Sequence, residues 1–235
     1  MKILAIDTTA KTATGAICED ENVLDSFQIT AGLTHSETML PEIDKLFEKT
    51  SFSPDDIDLF AVSSGPGSFT GVRIGVALIK GLAFGKGKPC VGVSTLEALC
   101  RGGAPIGGDF IACGVMDARR SQLYSATFSC SGGEFSRLCE DRLISSGDLA
   151  RELSEFSLPV YFFGDGYEIA RGAFPTAKET PPELIYQNAA SVADVARRIY
   201  LASDNRSAFT DVSLSPTYLR ASQAEREYNN KENKS

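Results

Sequence analysis

The segment of residues 63–75, with the sequence SSGPGSFTGVRIG, carries residue types that hold anions in many proteins. Three glycines and a proline within seven residues allow a tight turn in which backbone amides approach a ligand closely. An apolar, β-branched run precedes the segment and a long apolar stretch follows it, which predicts a strand-to-helix turn. Ser68 and Thr70 are candidate N-caps of that helix. The turn either binds an anion or only shapes and caps the helix.

The spacing of the glycines excludes the two common nucleotide-binding motifs. A Walker A loop has a glycine, four spacer residues and then Gly-Lys-Ser/Thr. Thr70 stands five residues after Gly65, where the second glycine is required, and Val72 stands at the same distance from Gly67. In the dinucleotide fingerprint the third glycine would fall at position 70, but here it is Gly71. The sequence therefore favours a turn that caps a helix over one that binds a nucleotide.

The other side chains capable of chemistry are too isolated to predict an active site. His35 is the only histidine, which excludes a two-histidine metal site, and its position in a first helical turn favours a structural role. Asp7, Glu97 and Asp117 stand alone at strand ends and helix starts, where carboxylates usually cap or face solvent. We therefore predict no catalytic residue and no metal ligand in this chain.

The composition is that of an acidic protein of ordinary hydrophobicity. The 235 residues include 23 Lys and Arg and 31 Asp and Glu, a net charge of −8, and 43% are hydrophobic. Because RNA binding requires a concentrated basic face, we do not expect this chain to grip tRNA by itself. The six cysteines form no Cys-x-x-Cys pair, which favours reduced thiols. Since no apolar run suits a signal peptide or a membrane span, we expect a cytoplasmic protein without membrane attachment.

The first 105 residues predict a strand meander followed by alternating helices and strands. The predicted elements are strands at 3–6, 13–18 and 23–29, a helix at 34–49, a strand at 57–63, a helix at 71–84 and a strand at 89–93. Thr34 with Glu37, and Ser94 with Glu97, form capping boxes. The helix at 71–84 is apolar around nearly its whole circumference, although a helix on a small sheet has only one face to bury. We therefore expect a further layer of this chain, or another protein, to cover it.

A second lobe is predicted after the glycine-rich stretch 102–108. We divide the chain into an N-terminal lobe at 1–105, a C-terminal lobe at 106–220 and a polar, disordered tail at 221–235. The predicted elements of the second lobe are strands at 110–116, 123–129, 137–144 and 160–163 and helices at 145–156 and 190–203. We expect the helix at 190–203 to pack back on the first lobe. Two mixed-sheet lobes with a cleft between them follow from this pattern.

Four stretches of the sequence together carry a family resemblance. They are residues 3–8 (ILAIDT), 66–75 (PGSFTGVRIG), 92–96 (GVSTL) and 216–220 (PTYLR). In this order along nearly the whole chain, they resemble the TsaB family, bacterial proteins of tRNA threonylcarbamoyladenosine synthesis that are related to the catalytic subunit TsaD. The resemblance implies an α/β, two-lobed, actin-like ATPase (ribonuclease H-like) fold with mixed sheets. It also implies that Asp7, Thr8 and Thr9 correspond to a degenerate first phosphate loop, although Asp and Thr also form ordinary hairpin turns.

The resemblance indicates which catalytic groups this chain lacks. In TsaD a His-x-x-x-His pair holds the metal just after the strand equivalent to 89–93, and the corresponding residues here are Thr95 and Leu99. TsaD has a second phosphate loop of Ser-Gly-Gly type where this chain has residues 116–120 (MDARR). Without glycines the backbone cannot wrap a phosphate in the same way. We therefore expect no cofactor bound by this chain alone, and ATP or ADP only at the interface of a complex.

The apolar helix and the missing catalytic groups predict a non-catalytic scaffold that pairs with a catalytic homologue through the helices at 34–49 and 71–84. The resemblance implies that the scaffold is the dimerisation subunit and that this homologue is TsaD. The predicted interface residues are Met39, Ile43, Phe47, Val72, Gly75, Val76, Ile79 and Ala83. Aspartate at Val76 or Ile79 is accordingly expected to abolish pairing without unfolding the chain. The resemblance implies TsaE as a further partner. The same apolar helix surface predicts that the free chain can pair as a homodimer, and the acidic charge predicts contact with tRNA only through the complex. The complex would transfer threonylcarbamoyl to adenosine 37 of tRNA.

Two other classes of function remain open from the sequence. One is a nucleotide-dependent kinase or ATPase of the actin-like superfamily that acts alone, with Asp7 and the glycine-containing loops at its active site. ATP binding and turnover without a partner would identify it. The other is a metallopeptidase, which is disfavoured because the metal ligands it needs are missing from the sequence.

Overall fold

A computed structural model of the protein describes residues 1–30 and 35–220. Within these ranges the chain forms ten strands and seven α-helices, and the strands lie in two sheets. Among the helices of these ranges, none combines the length and the apolar character needed to cross a membrane.

The first sheet is built from the first five strands in the order β3-β2-β1-β4-β5. These strands are β1 (Lys2–Asp7), β2 (Ala13–Glu19), β3 (Asn22–Ile29), β4 (Leu59–Gly65) and β5 (Cys90–Ser94). The predicted antiparallel meander of β1, β2 and β3 is confirmed, and β4 and β5 run parallel to β1. Residues 3–6 of β1 and 59–62 of β4 are all apolar. Parallel strands have this composition because both faces of their sheet are covered and the side chains on both sides are buried.

Two helices cover one face of the first sheet. They are α1 (His35–Thr50) and α2 (Phe69–Ala83), whose inward residues share a core with Leu4, Phe60 and Val62 of the sheet. Ser68 is the N-cap of α2, and its Oγ accepts a hydrogen bond from the Gly71 amide. Of the two candidate N-caps, Ser68 and Thr70, Ser68 is thus the one that caps the helix. The predicted capping residue of α1, Thr34, lies outside the described residues.

The second sheet has the order β10-β6-β7-β8, with β9 also paired to β7. Its strands are β6 (Phe110–Asp117), β7 (Gln122–Ser131), β8 (Glu134–Arg137), β9 (Arg142–Ser145) and β10 (Val160–Phe163). The single strand predicted at 137–144 is wrong. The chain leaves the ladder there because the amides of Leu138 and Cys139 both donate to the Thr127 carbonyl, so two short strands form instead.

The second sheet repeats the arrangement of the first. In both, a central strand (β1 or β6) pairs antiparallel with the strand that follows it and parallel with a later strand (β4 or β10). The helices α4 (Ser146–Leu153), α5 (Tyr167–Ala173) and α6 (Pro182–Ile185) contribute to the core on this sheet. The predicted α/β fold with two mixed sheets is confirmed.

Two further helices tie the two sheets together. The helix α7 (Ala189–Ala202) follows the second sheet in sequence. It buries Val192, Val195 and Ala196 against the face of the first sheet opposite α1 and α2. The helix α3 (Thr95–Arg101) begins at the N-cap Ser94 and packs against β6 and β10 of the second sheet. The lobe boundary at 105/106 stays a prediction, and the tail at 221–235 lies outside the described residues.

Candidate functional site

The loop of Asp7, Thr8 and Thr9, between β1 and β2, is buried and hydrogen-bonded within the chain. The three residues are at most 1% exposed. Asp7 Oδ1 accepts hydrogen bonds from the Thr9 amide (2.8 Å) and the Thr9 hydroxyl (2.7 Å). The Thr8 hydroxyl donates to the Gly71 carbonyl at 2.7 Å, and the Thr9 carbonyl accepts from the Ser68 amide at 2.7 Å. The Asp7 carboxylate, both threonine hydroxyls and the Thr9 amide are therefore used inside the protein.

The glycines of segment 63–75 allow this close contact. A Cβ atom at Gly67 would lie 2.6 Å from the Thr9 carbonyl oxygen, and one at Gly75 would lie 2.5 Å from the Thr8 Oγ1. A Cβ atom at Gly71 would collide with the Thr8 carbonyl oxygen. The glycine spacing thus serves the approach of α2 to the loop, together with the cap at its start. Of the two alternatives for this segment, the contacts support shaping and capping a helix.

Burial of the Asp7 carboxyl predicts a pH dependence of stability. Burial raises the pKa of Asp7, although hydrogen bonds to its carboxylate and the charge of His35 act in the opposite direction. The folded state therefore holds the proton more tightly than the unfolded chain, so the contribution of Asp7 to stability is lost as pH rises through the folded pKa. Asp7→Asn keeps the Oδ1 acceptor, and its Tm should rise relative to wild type as the pH increases above about 4, the ordinary pKa of Asp. Thermal unfolding across this range measures the difference; a constant difference in Tm would contradict the prediction.

A cavity of about 800 Å³ opens between the two sheets beside this loop. On the side of the second sheet it is lined by the turn between β6 and β7, where Arg119, Arg120 and Ser121 all have positive φ. Such a backbone disfavours side-chain-bearing residues. Arg119 is paired with Asp117 at 3.6 Å and its amide donates to Asp117 Oδ1 at 2.7 Å. The Asp117 side chain therefore holds the turn by contacting both the side chain and the backbone amide of Arg119.

The residues predicted to form the partner interface lie in the core of this chain. The seven with side chains, Met39, Ile43, Phe47, Val72, Val76, Ile79 and Ala83, are each at most 7% exposed, and Gly75 is buried against Thr8. They recur at helical spacing on the sides of α1 and α2 that face the first sheet. Their assignment as partner contacts is corrected accordingly: these side chains build the fold.

The opposite side of α2 remains accessible. Ala77 and Gly81 are exposed, and Ile74 and Leu78 are half-buried; we call these four residues the outer face of α2. Phe84, directly after the helix, is 78% exposed. The buried residues of α2 recur at helical spacing, so the buried side and the exposed side can be distinguished in the structure. Because nearly all residues of α2 are apolar, the sequence did not show which side was which.

The C-terminal segment of the described chain covers one flank of α2. The Tyr218 ring stacks on Phe69 with centroids 4.1 Å apart, and its hydroxyl accepts from Arg73 Nε at 2.9 Å. The Thr217 amide donates to the Ser64 carbonyl, and Arg220 Nη1 donates to the Ala118 carbonyl of the second sheet. The motif at 216–220, for which the sequence offered no physical role, therefore fastens the end of the described chain to both sheets.

The remaining candidates for chemistry are used structurally. A ring nitrogen of His35 is 2.8 Å from the Ala10 carbonyl oxygen. Thr95 and Leu99 are buried on α3, and the Glu97 carboxylate pairs with Arg137 at 2.7 Å. In the part of the chain that the structure describes, no group of three or more His, Cys, Asp or Glu residues could hold a metal ion.

Comparison with known proteins places the chain in a family. The family model "TsaD: tRNA N6-adenosine threonylcarbamoyltransferase" matches residues 29–228. The "tRNA threonylcarbamoyladenosine biosynthesis protein TsaB" of Bacillus subtilis (strain 168) is 34% identical over 164 residues, which cover 70% of this chain and 71% of that protein. The protein of the same name from Haemophilus influenzae (strain ATCC 51907 / DSM 11121 / KW20 / Rd) is 25% identical over 228 residues, 94% of each chain.

Solved structures agree in fold. YeaZ from Pseudomonas aeruginosa superposes with a TM-score of 0.71 at 22% identity, covering 93% of this chain and 99% of that chain. A second structure from that organism, described as similar to peptidase YEAZ, gives a TM-score of 0.72 at 21% identity with the same coverage. The family model spans most of the sequence, and the B. subtilis relative exceeds 30% identity over more than two thirds of its length. The chain belongs to the TsaB family, within the sequence family that the TsaD model describes.

Proposed function

We propose that this protein takes part in the synthesis of threonylcarbamoyladenosine in tRNA as a non-catalytic subunit that binds and supports a TsaD protein. The names of its relatives support the pathway. The observation that carries the non-catalytic role is the closed Asp7–Thr9 loop, whose hydroxyls and carboxylate are all engaged within the chain. The chemistry then belongs to TsaD, with TsaE as a further partner and tRNA held only by the assembled complex.

The same contacts argue against a kinase or ATPase that acts alone. The Thr8 hydroxyl is hydrogen-bonded to the backbone of α2, and the glycines of α2 lie directly against this loop. These glycines therefore leave no room for a triphosphate to bind at the loop. ATP is expected to give no saturable heat of binding with this chain alone. Any nucleotide of the complex would then lie at the seam with the partner. Stoichiometric binding and hydrolysis of ATP by the isolated chain would contradict the proposal.

The proposed TsaD contact is the outer face of α2. It is the apolar surface left after α1, the first sheet and the C-terminal segment have covered the rest of the helix. Both cations of α2 are directed to the chain itself: Arg73 contacts Tyr218, and Lys80 Nζ donates to the Leu214 carbonyl at 3.0 Å. We expect the matching surface of TsaD to be a helix with an apolar face, because apolar helix faces pack against one another.

Ala77→Asp is expected to abolish binding to TsaD while leaving the fold intact. Ala77 is exposed, so the new carboxylate is solvated in the free chain and desolvated only in the complex. Size-exclusion chromatography of an equimolar mixture with TsaD measures the complex, and a tRNA modification assay measures its activity. A loss of at least about tenfold in affinity is expected.

The matched control is Ala202→Asp, an exposed alanine in the last turn of α7 on the opposite face of the first sheet. It should bind TsaD as wild type does. If Ala77→Asp binds TsaD normally, the outer face of α2 is not the interface. If Ala77→Asp only dissociates a homodimer of the free chain and leaves TsaD binding unchanged, the surface serves self-association instead.

A further inference from the structure

Residues 214–220 run along one flank of α2, and we call them the strap. Leu214, its first residue, is 5% exposed and packs in the core that α2 shares with the first sheet. The Thr217 amide donates to the Ser64 carbonyl at 2.7 Å, and the Tyr218 ring stacks on the first residue of α2. The start and the middle of the strap are therefore fixed to the elements of the first sheet.

Arg220, the last residue of the strap, contacts the second sheet. Its Nη1 donates to the Ala118 carbonyl at 3.1 Å. Ala118 directly follows β6, and both residues line the cavity between the two sheets. Among the described residues, no other hydrogen bond or ion pair joins the strap to the second sheet. The strap therefore holds this sheet by one hydrogen bond, at the wall of the cavity.

The ionic contacts beside α3 lie away from the cavity. Ser94, the last residue of β5, donates from its Oγ to Asp141 Oδ2 at 2.6 Å. Arg137 of β8 pairs with Glu97 of α3 and with Asp141, both at 2.7 Å. The described residues that line the cavity do not include these four. Two charge-assisted hydrogen bonds therefore join β5 and α3 to the second sheet, together with the apolar packing of α3, whereas the strap supplies one.

The contact between the sheets at the cavity itself is apolar. Met116 of β6 is 2% exposed, and a Cβ atom at Gly67, in the turn before α2, would lie 3.3 Å from its Cε. Met116 and Ala10, from the two sides of the cavity, belong to one apolar cluster. Apolar contacts are not directional, so the sheets can separate here without breaking a hydrogen bond. Met116 is then uncovered.

We infer that the strap keeps the cavity closed: Arg220 holds the second sheet against the first, and loss of its hydrogen bond lets the sheets separate on the cavity side while the contacts beside α3 persist. Because Tyr218 belongs to the same strap, the flank of α2 is linked to the opening of the cavity. This device goes beyond the proposed function, since it belongs to the isolated chain and requires neither TsaD nor tRNA.

The test measures how fast a thiol inside the cavity is alkylated. Met116→Cys places a thiol that iodoacetamide reaches only when the sheets separate, and mass spectrometry of peptides gives its rate. When opening is fast compared with alkylation, this rate is proportional to the open fraction. Adding Arg220→Ala should raise the rate about tenfold, because a hydrogen bond from a charged donor changes an equilibrium by about that factor. Cys18, buried between the first sheet and α7, is the internal reference, and its rate should stay the same.

The matched control is Arg206→Ala. Arg206 also donates to backbone carbonyls, those of Tyr200 and Leu201, but these belong to α7 on the first sheet. Its substitution should change the rate less than about twofold. Tyr218→Ala should raise the rate as Arg220→Ala does, because a strap without its ring stack no longer positions Arg220. Combining the two should add less than about twofold, since both act through one strap.

Four results would overturn the inference. Two are an unchanged rate in Arg220→Ala and an equal effect of Arg206→Ala. The third is an equal acceleration at Cys18, which would indicate general loosening of the protein. The fourth is a full multiplication of the effects of Tyr218→Ala and Arg220→Ala, which would make them independent contacts.

A second reporter covers the case in which Met116→Cys does not fold. Ala10→Cys carries the same thiol on the other side of the cavity, at a position that is 8% exposed. Because every measurement uses the isolated chain, its outcome is independent of whether TsaD binding through α2 succeeds.

Discussion

Val76→Asp is expected to unfold the protein, or to leave it folded with a free energy of unfolding lower by about 4–5 kcal/mol. Val76 is 4% exposed and packs in the core between α2 and the first sheet. The substitution removes apolar contacts and places a carboxylate among buried apolar side chains. A loss of this size is comparable with the whole stability of many domains, about 5–15 kcal/mol. Urea unfolding followed by circular dichroism measures it.

The neighbouring substitution Ala77→Asp is the control for Val76→Asp. It places the same carboxylate one residue later on the exposed side of α2, so the free energy of unfolding should change by less than about 1 kcal/mol. The pair separates core from interface at adjacent positions of one helix. Native stability in Val76→Asp would restore the original assignment of this side chain to a partner contact.

Gly71→Ala is expected to lower the free energy of unfolding by about 3 kcal/mol. A Cβ atom at this position collides with the backbone carbonyl oxygen of Thr8, which cannot move away as a flexible side chain would. That carbonyl belongs to the buried loop of Asp7, Thr8 and Thr9, so relief of the collision would also strain the hydrogen bond from Thr8 Oγ1 to the Gly71 carbonyl. Thermal and urea unfolding of the variant measure the effect.

Gly81→Ala, ten residues later in the same helix, should have the opposite sign. A Cβ atom there meets nothing within 4 Å, so the substitution removes only the helix penalty of glycine and should stabilise by up to about 1 kcal/mol. Equal effects of the two substitutions would show that Gly71 is not needed for the contact with Thr8.

Much of the fold was predictable because local pattern and tertiary environment agree. The apolar, β-branched runs predicted the strand meander, and the serine caps marked the starts of α2 and α3. The break between β8 and β9 was not predictable, because it depends on hydrogen bonds to Thr127, which lies more than ten residues earlier in the chain. The short helices α5 and α6 were missed for a similar reason: they are held by packing on the second sheet rather than by a strong apolar period.

The candidate site was less predictable than the fold. The nearly all-apolar composition of α2 indicated correctly that more than the first sheet packs against it: α1 and the segment around Tyr218 also contact the helix. It did not show that Val72, Val76 and Ile79 face the sheet while Ala77 and Gly81 face outward. The ring that stacks on Phe69 belongs to Tyr218, more than a hundred residues later in the sequence, and no local spacing encodes such a contact.

The position of α7 has a consequence for how the polypeptide matures. The last strand of the first sheet is synthesised about 95 residues before this helix begins, an interval of roughly 5–20 s at ordinary rates of synthesis. During that interval Ile3, Leu59 and Val91 have no cover on their side of the sheet. The nascent N-terminal half should therefore recruit a holdase chaperone, and release it only when α7 docks.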